Sequence, residues 1–212
     1  MNISYVSQKP ISYCAEEMRN TRTKAQASAS INDIDIRNAH DIPSIYEKDP
    51  EVSLLYKYNN EVGFGVFNGG IEDGFMKFEK LINELNKTYE GEELRKHIAA
   101  ATEVFKGSVR FFASSLASYA MKDAGWQRVV YRPGEMSAEE IAAAREQEQI
   151  NQQAIHYANK IRKSVTEILL SAVNFILDTG SFKGFTSSSL ATNRLGDMSF
   201  KDIEEMVKKF GM

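Results

Sequence analysis

The chain has 212 residues, 42% hydrophobic and 26% charged, a composition ordinary for a globular protein that buries roughly 70% of its unfolded surface. Lysine and arginine total 26 against 29 acids, a net charge of -3, so no global positive field draws the protein to nucleic acid or to an anionic membrane. A single cysteine, Cys14, excludes an internal disulfide.

The opening MNISYVSQKPISYC shows no basic segment followed by an apolar run, so a cleaved secretory signal is not expected. The longest apolar-rich stretch, Val165 to Leu177, contains Glu167 and Asn174 and falls well short of the ~20 residues that span a bilayer. The expectation is a cytoplasmic protein without stable membrane insertion. The alternative is export by a route that uses no cleaved signal.

Residues 1–50 read as a partly irregular N-terminal arm. Ser, Asn and Ala crowd its first part, a weak helical run covers Ile11 to Ala29, and Ile31, Ile34, Ile36, Ile42 and Ile45 are interrupted by Pro43 and Pro50. In 51–67, Val52, Leu54, Tyr56 and Tyr58 alternate, Asn59-Asn60 can turn, and Val62, Phe64 and Val66 alternate back. This predicts a β-hairpin. A lone hairpin is marginal in water, and Gln127 to Arg132, with Val129 and Val130, is the candidate third strand.

Residues 71–89 place Phe75, Phe78, Leu81, Ile82 and Leu85 on one stripe, with Glu72 and Asp73 where the helix dipole favours acids. A second helix spans 92–124 through Leu94, Ile98, Ala101, Phe105, Phe112, Leu116 and Tyr119, with Gly107 as its weak point. After the Pro133-Gly134 turn, Ser137 and Glu140 form a capping box. Residues 138–179 then contain neither Gly nor Pro. One continuous helix there would reach about 63 Å, longer than the roughly 43 Å diameter of a compact sphere of this chain length. Its first half is polar, with one apolar residue among Arg145 to Gln153, whereas Val165 to Leu177 is apolar on most sides. The first half is expected to project or to meet a partner. Helices 92–124 and 138–179 are expected to be antiparallel, because the short connection cannot return along a 50 Å helix.

Residues 181–197 read as a loop or linker. Ser199 then caps a short amphipathic helix whose stripe is Phe200, Ile203, Met206, Val207 and Phe210. That stripe needs a groove, either on its own core or on another protein.

No chemical motif stands out. The Gly63 to Gly70 run lacks the Gly-Lys-Ser/Thr that closes a phosphate-binding loop, and its glycines suit a bent strand and a turn. His40, His97 and His156 show no zinc spacing, and Glu93 with His97 offers two ligands that no second helix repeats. No serine sits in a nucleophile elbow, and Cys14 lies in a polar arm. The basic runs at Arg19, Arg22 and Lys24 and at Lys160, Arg162 and Lys163 lack interleaved aromatics, which fits solvated faces. Trp126 and Tyr131 suit a core anchor at the join of the long helices. No metal, cofactor or catalytic residue is predicted.

The fold expected is mainly α, an α+β variant with a minor β-hairpin. A core of 51–180 contains a long, coiled-coil-like antiparallel helix pair, one additional helix and the hairpin. A linker and C-terminal helix follow over 181–212. The function expected is non-enzymatic protein–protein interaction, with Ile141, Ile150, Ile155 and Tyr157 as homodimer contacts and the stripe Phe200, Ile203, Met206, Val207 and Phe210 binding a partner protein. The alternative is a small-ligand or lipid-binding domain whose cavity is lined by Phe64, Phe67, Phe105, Phe112 and Phe175.

Overall fold

The computed structural model describes residues 50–132, 134–188 and 198–212, all in the second of the two units into which the chain's contacts divide, Tyr46–Met212. The readings of the arm up to residue 49, of Cys14 and His40, of Pro133 and of 189–197 lie outside the described residues. Among the described residues the fold is mainly α: six helices and one 3-10 turn, with no β-strand.

The expected hairpin is not formed. Helix α1 (Pro50–Val62) takes the place of its first strand, and a 3-10 turn (Val66–Gly69) the place of its second. The segment carries two apolar periods at once. Leu54, Tyr58 and Val62, spaced by four, form a helical stripe, and Tyr58 and Val62 from it are fully buried. A two-stranded hairpin leaves its outer backbone groups unpaired, whereas a helix pairs them within itself. Pro50 sits at the first helical position, where a missing N–H costs nothing. Asn59-Asn60 therefore lies inside a helix, and Gln127 to Arg132 is irregular chain with no strand to join.

Helix α2 (Ile71–Thr88) and helix α3 (Gly91–Asp123) carry the bulky part of the core. Phe78 stacks on Phe105 with ring centroids 4.3 Å apart, and Phe75 stacks on Phe182 at 4.8 Å. Phe67, from the 3-10 turn, lies 5.0–5.8 Å from Phe75, Phe105 and Phe112.

Helix α4 (Ala138–Thr179) is the continuous helix expected. The Ser137 hydroxyl accepts from the Glu140 N–H at 3.2 Å, and the Glu140 carboxylate accepts from the Ser137 N–H at 2.7 Å. That backbone bond, helped by the Ser137 side chain, holds the Glu140 carboxyl below its ordinary pKa. Gly180, in the left-handed region at φ 73°, ends the helix. The most extensive helix–helix contact in the unit is that of α3 with α4. Both helices bury small residues, Ala101, Ala113, Ala117 and Ala120 on α3 and Ala154, Ala158 and Ala172 on α4, and α4 buries Val165, Ile168 and Leu169 as well.

The stretch read as a linker begins instead with a helical turn, α5 (Phe182–Thr186). Ser181 caps it by accepting from the Gly184 N–H at 3.0 Å, and the Phe182 N–H donates to the Glu79 carboxylate at 2.5 Å. Both Phe182 and Phe185 are buried, so burial of two aromatic rings overrides the turn-rich composition around them. Helix α6 (Phe200–Phe210) closes the described chain and packs on α3 and α4.

Two glycines inside helices should respond oppositely to alanine. A Cβ on Gly74 would lie 2.4 Å from the Phe67 ring, whereas one on Gly107 meets nothing within 4 Å. Gly74→Ala is expected to lower stability by about 1–3 kcal/mol through overpacking, and Gly107→Ala to raise it by about 0.5–1 kcal/mol through helix propensity. Urea unfolding of the two variants checks both signs.

Candidate interaction surfaces

Helix α4 outruns its neighbour. Gln147 donates to the Gly125 carbonyl at 2.9 Å, and Asn151 clamps Gln127 from both sides: its Oδ1 accepts from the Gln127 N–H at 2.9 Å while its Nδ2 donates to the Gln127 carbonyl at 2.7 Å. The end of α3 is therefore level with residues 147–151 of α4. The nine residues before Gln147 in α4 pass beyond α3 by about 14 Å. Among the described residues from Met121 to Gln153 none is buried. This arm consists of the start of α4 and the connecting chain that runs beside it.

The four residues expected at an oligomer contact do not share one face. At 100° per residue, Ile150 and Tyr157 fall on one flank of α4, while Ile141 and Ile155 fall on the other. The first pair is exposed and the second half-buried. Val130 and Tyr131 of the connecting chain are exposed as well, Val130 at 54%. Trp126 is half-buried beside them in sequence and belongs to this arm, not to the core.

The C-terminal stripe is placed against the protein's own core. Phe200, Ile203 and Val207 are buried, and Met206 and Phe210 are half-buried against the same cluster. Phe200 meets Phe182 and Phe185 edge-on, Phe210 stacks on Tyr119 at 5.9 Å, and Lys209 pairs with Asp123 at 2.5 Å. A partner would reach this stripe only after α6 had lifted away.

The five phenylalanines expected around a cavity are dispersed. Phe105 is fully buried in the aromatic stack, and Phe175 packs on Phe185. Phe64, Phe67 and Phe112 do come together, but along an open trench of about 350 Å³ that Phe111, Ser115, Tyr119 and Met212 complete. Phe64, at 78% exposure, is the most exposed large apolar side chain among the described residues, and its ring meets that of Phe111 edge-on at 5.0 Å. Phe111 and Tyr119 were not singled out together by the sequence, although their i, i+8 spacing on one helix face was visible.

A buried polar cluster joins α1 to α3. The Tyr58 hydroxyl is hydrogen-bonded to His97 Nδ1, and Tyr89 stacks on the imidazole with centroids 3.8 Å apart. The Glu93 carboxylate lies 4.0 Å from His97 Nε2. Burial lowers the His97 pKa, with Lys57 adding and Glu93 opposing. Burial, with Tyr89 and Glu61, pushes the Tyr58 pKa up to about 12. His156, by contrast, is exposed on α4, and no group of three His, Cys, Asp or Glu among the described residues converges to hold a metal. No helix among them is long and apolar enough to cross a membrane.

No family model, curated protein or solved structure matches the chain.

Two outcomes follow from these placements. Because the fold favours neutral His97, its contribution to stability is full above about pH 6.5 and is lost as the pH falls toward the lowered native value. The gap in urea midpoint between the native chain and His97→Gln should therefore narrow on acidification. At the other extreme, the Tyr58 contribution is full below about pH 10 and is lost as the pH rises toward 12. A gap that stayed constant from neutral to acid pH would contradict the role given to His97. Separately, Ile203→Ala should cost about 2–5 kcal/mol within a single cooperative transition, because that side chain is wholly buried. An α6 that melts alone, before the rest, would show that it is not integral to the core.

Proposed function

We propose that the protein is a non-enzymatic interaction protein that pairs with a second copy of itself through the arm at the start of α4. The observation that carries this reading is that capped helix continues where none of the described residues buries it. Most helical stability in proteins comes from tertiary packing of one face, so a helix end that covers no core of its own is suited to cover a partner's. The flank of α4 bearing Ile150 and, just past the arm, Tyr157 supplies exposed apolar anchors of the kind that form the centre of an interface, and Val130 is exposed in the arm itself. Recruitment of a further protein through Phe200, Ile203, Met206, Val207 and Phe210 enters the proposal only for a released α6.

Small-ligand or lipid binding has less support. Binding pockets bury most of a ligand's surface, and the aromatic trench is open along its length, with Phe111 exposed at 48%.

Sedimentation velocity over a concentration series tests the proposal. The expected result is a monomer–dimer equilibrium that shifts to monomer in Ile150→Glu and in Tyr157→Glu, while the thermal midpoint at dilute, monomeric concentration stays that of the parent chain. A parent chain that is monomeric at every concentration, or a dimer indifferent to both substitutions, would defeat it.

A further inference from the structure

Among the described residues, the trench beside Phe64 continues an interface that the chain itself makes. Helix α1 lies along α3 in the same direction. At its start, Pro50, Ser53 and Leu54 border Glu93, Lys96 and His97, and at its end the Val62 carbonyl accepts from the Ser108 hydroxyl at 3.1 Å. There α1 stops and the chain turns away through Gly63, Phe64 and Gly65. Among the described residues, the surface of α3 in line with α1 then lies open beside Phe111 and Ser115 as far as Tyr119, on whose ring Phe210 of α6 stacks.

We infer that this open stretch receives an amphipathic α-helix of another protein, laid along α3 in line with α1. Its length fits: Ser108 to Tyr119 is about 17 Å of helix, which three turns of a partner would match. Helices bind such grooves with apolar anchors at i, i+3 or i+4, and i+7. Phe64 is presented as a fixed anchor for that contact. A Cβ on Gly63 would lie 2.2 Å from the Asn59 carbonyl, and Gly65 has φ 86°, so the turn requires glycine on both sides of the ring it displays. An aromatic side chain held this way loses little freedom on binding.

Charge sets the partner's polarity. Lys122 lies one turn beyond Tyr119, its ammonium 5.9 Å from the centre of that ring. No carboxylate among the described residues is within ion-pairing distance of it: Asp123, next along the helix, is engaged by Lys209, and Glu103 by Arg110. The partner helix therefore places an aspartate or glutamate at that end. A second copy of this chain does not supply such a helix from its described residues, because the apolar stripes of α2, α3, α4 and α6 are all taken up in its own core.

A displayed library of random peptides, selected on the full chain and counter-selected on Phe111→Glu, tests the inference. Phe64 and Phe111 are surface side chains, so their variants should melt as the parent does, and a melt of each establishes this first. The expected winners carry apolar residues at helical spacing with an acidic residue at one end. A synthetic winner should gain helical circular dichroism on binding, weaken about tenfold or more on Phe64→Ala or Phe111→Glu, and weaken on Lys122→Glu. It should bind the arm variant Ile150→Glu normally, which separates this site from the pairing proposed above. Winners without helical periodicity, or indifferent to both aromatic substitutions, would overturn it. So would a self-associated chain that Phe111→Glu dissociates, or a small apolar molecule seen in native mass spectra and lost from that variant.

Discussion

The contact between α3 and α4, the most extensive in the unit, made by two helices that both bury several alanines, is the constraint on which the rest of the unit depends. Small side chains let two helices approach along their length, and each such pair must be matched in register or leave surplus helix uncovered. Here the lengths are unequal, 33 residues against 42. The sequence of α4 adjusts at the point where α3 ends. Its inward positions, three and four apart, run Val165, Ile161, Ala158 and Ala154 and then become Asn151 and Gln147. The amides replace apolar contact with hydrogen bonds to the backbone of the departing chain, at Gln127 and Gly125. Polar groups at the rim of a core thus satisfy a stretch of backbone that has left its helix.

Bulk is concentrated around Phe105 of α3. Phe67, Phe75, Phe78, Phe105 and Phe182 form one continuous set of ring contacts between α2, the 3-10 turn, α3 and α5. Their volume fills the space that a ligand cavity would need, and Gly74 gives up its side chain so that Phe67 can enter. The aromatic content that made a cavity conceivable is therefore mostly packing. What remains open is the stretch past the end of α1.

The long helices were legible because their signals are redundant: periodicity, a capping box at Ser137, and glycines at 91, 125 and 180 that mark where helix stops. Helix α1 was not, since in a short apolar run alternation and a four-residue spacing coexist, and only burial chooses between them. Weight on Asn59-Asn60 as a turn hid the start signal of Pro50. In the same way the serines and threonines of 186–189 concealed Phe182 and Phe185, whose three-residue spacing after Ser181 is a small helical signal. Of the surface, the surplus length of α4 could be read, and so could the opposite flanks of Ile150 with Tyr157 and of Ile141 with Ile155 from their spacing, but not which flank is exposed. The trench could not be found at all while Phe64 was placed in a strand.

Both candidate surfaces arise from one cause: a helix face left bare where its neighbour stops. Among the described residues, helix α1 ends at Val62 and leaves one flank of α3 open beside Phe111 and Ser115, and α3 ends at Asp123 and leaves α4 open before Gln147. What stands at the bare positions differs. On α4 the inward face carries Ala144, Gln147 and Asn151, which are small or bind nearby backbone, so that face is completed within the chain and only its flank offers apolar anchors. On α3 the face left open among the described residues carries Phe111 and Tyr119, beside Phe64 and over the buried Phe112, with Phe210 stacked on the Tyr119 ring at one end. An apolar face of that kind lowers its free energy only by being covered. Of the two surfaces, the trench along α3 is accordingly the one whose chemistry the described residues leave incomplete.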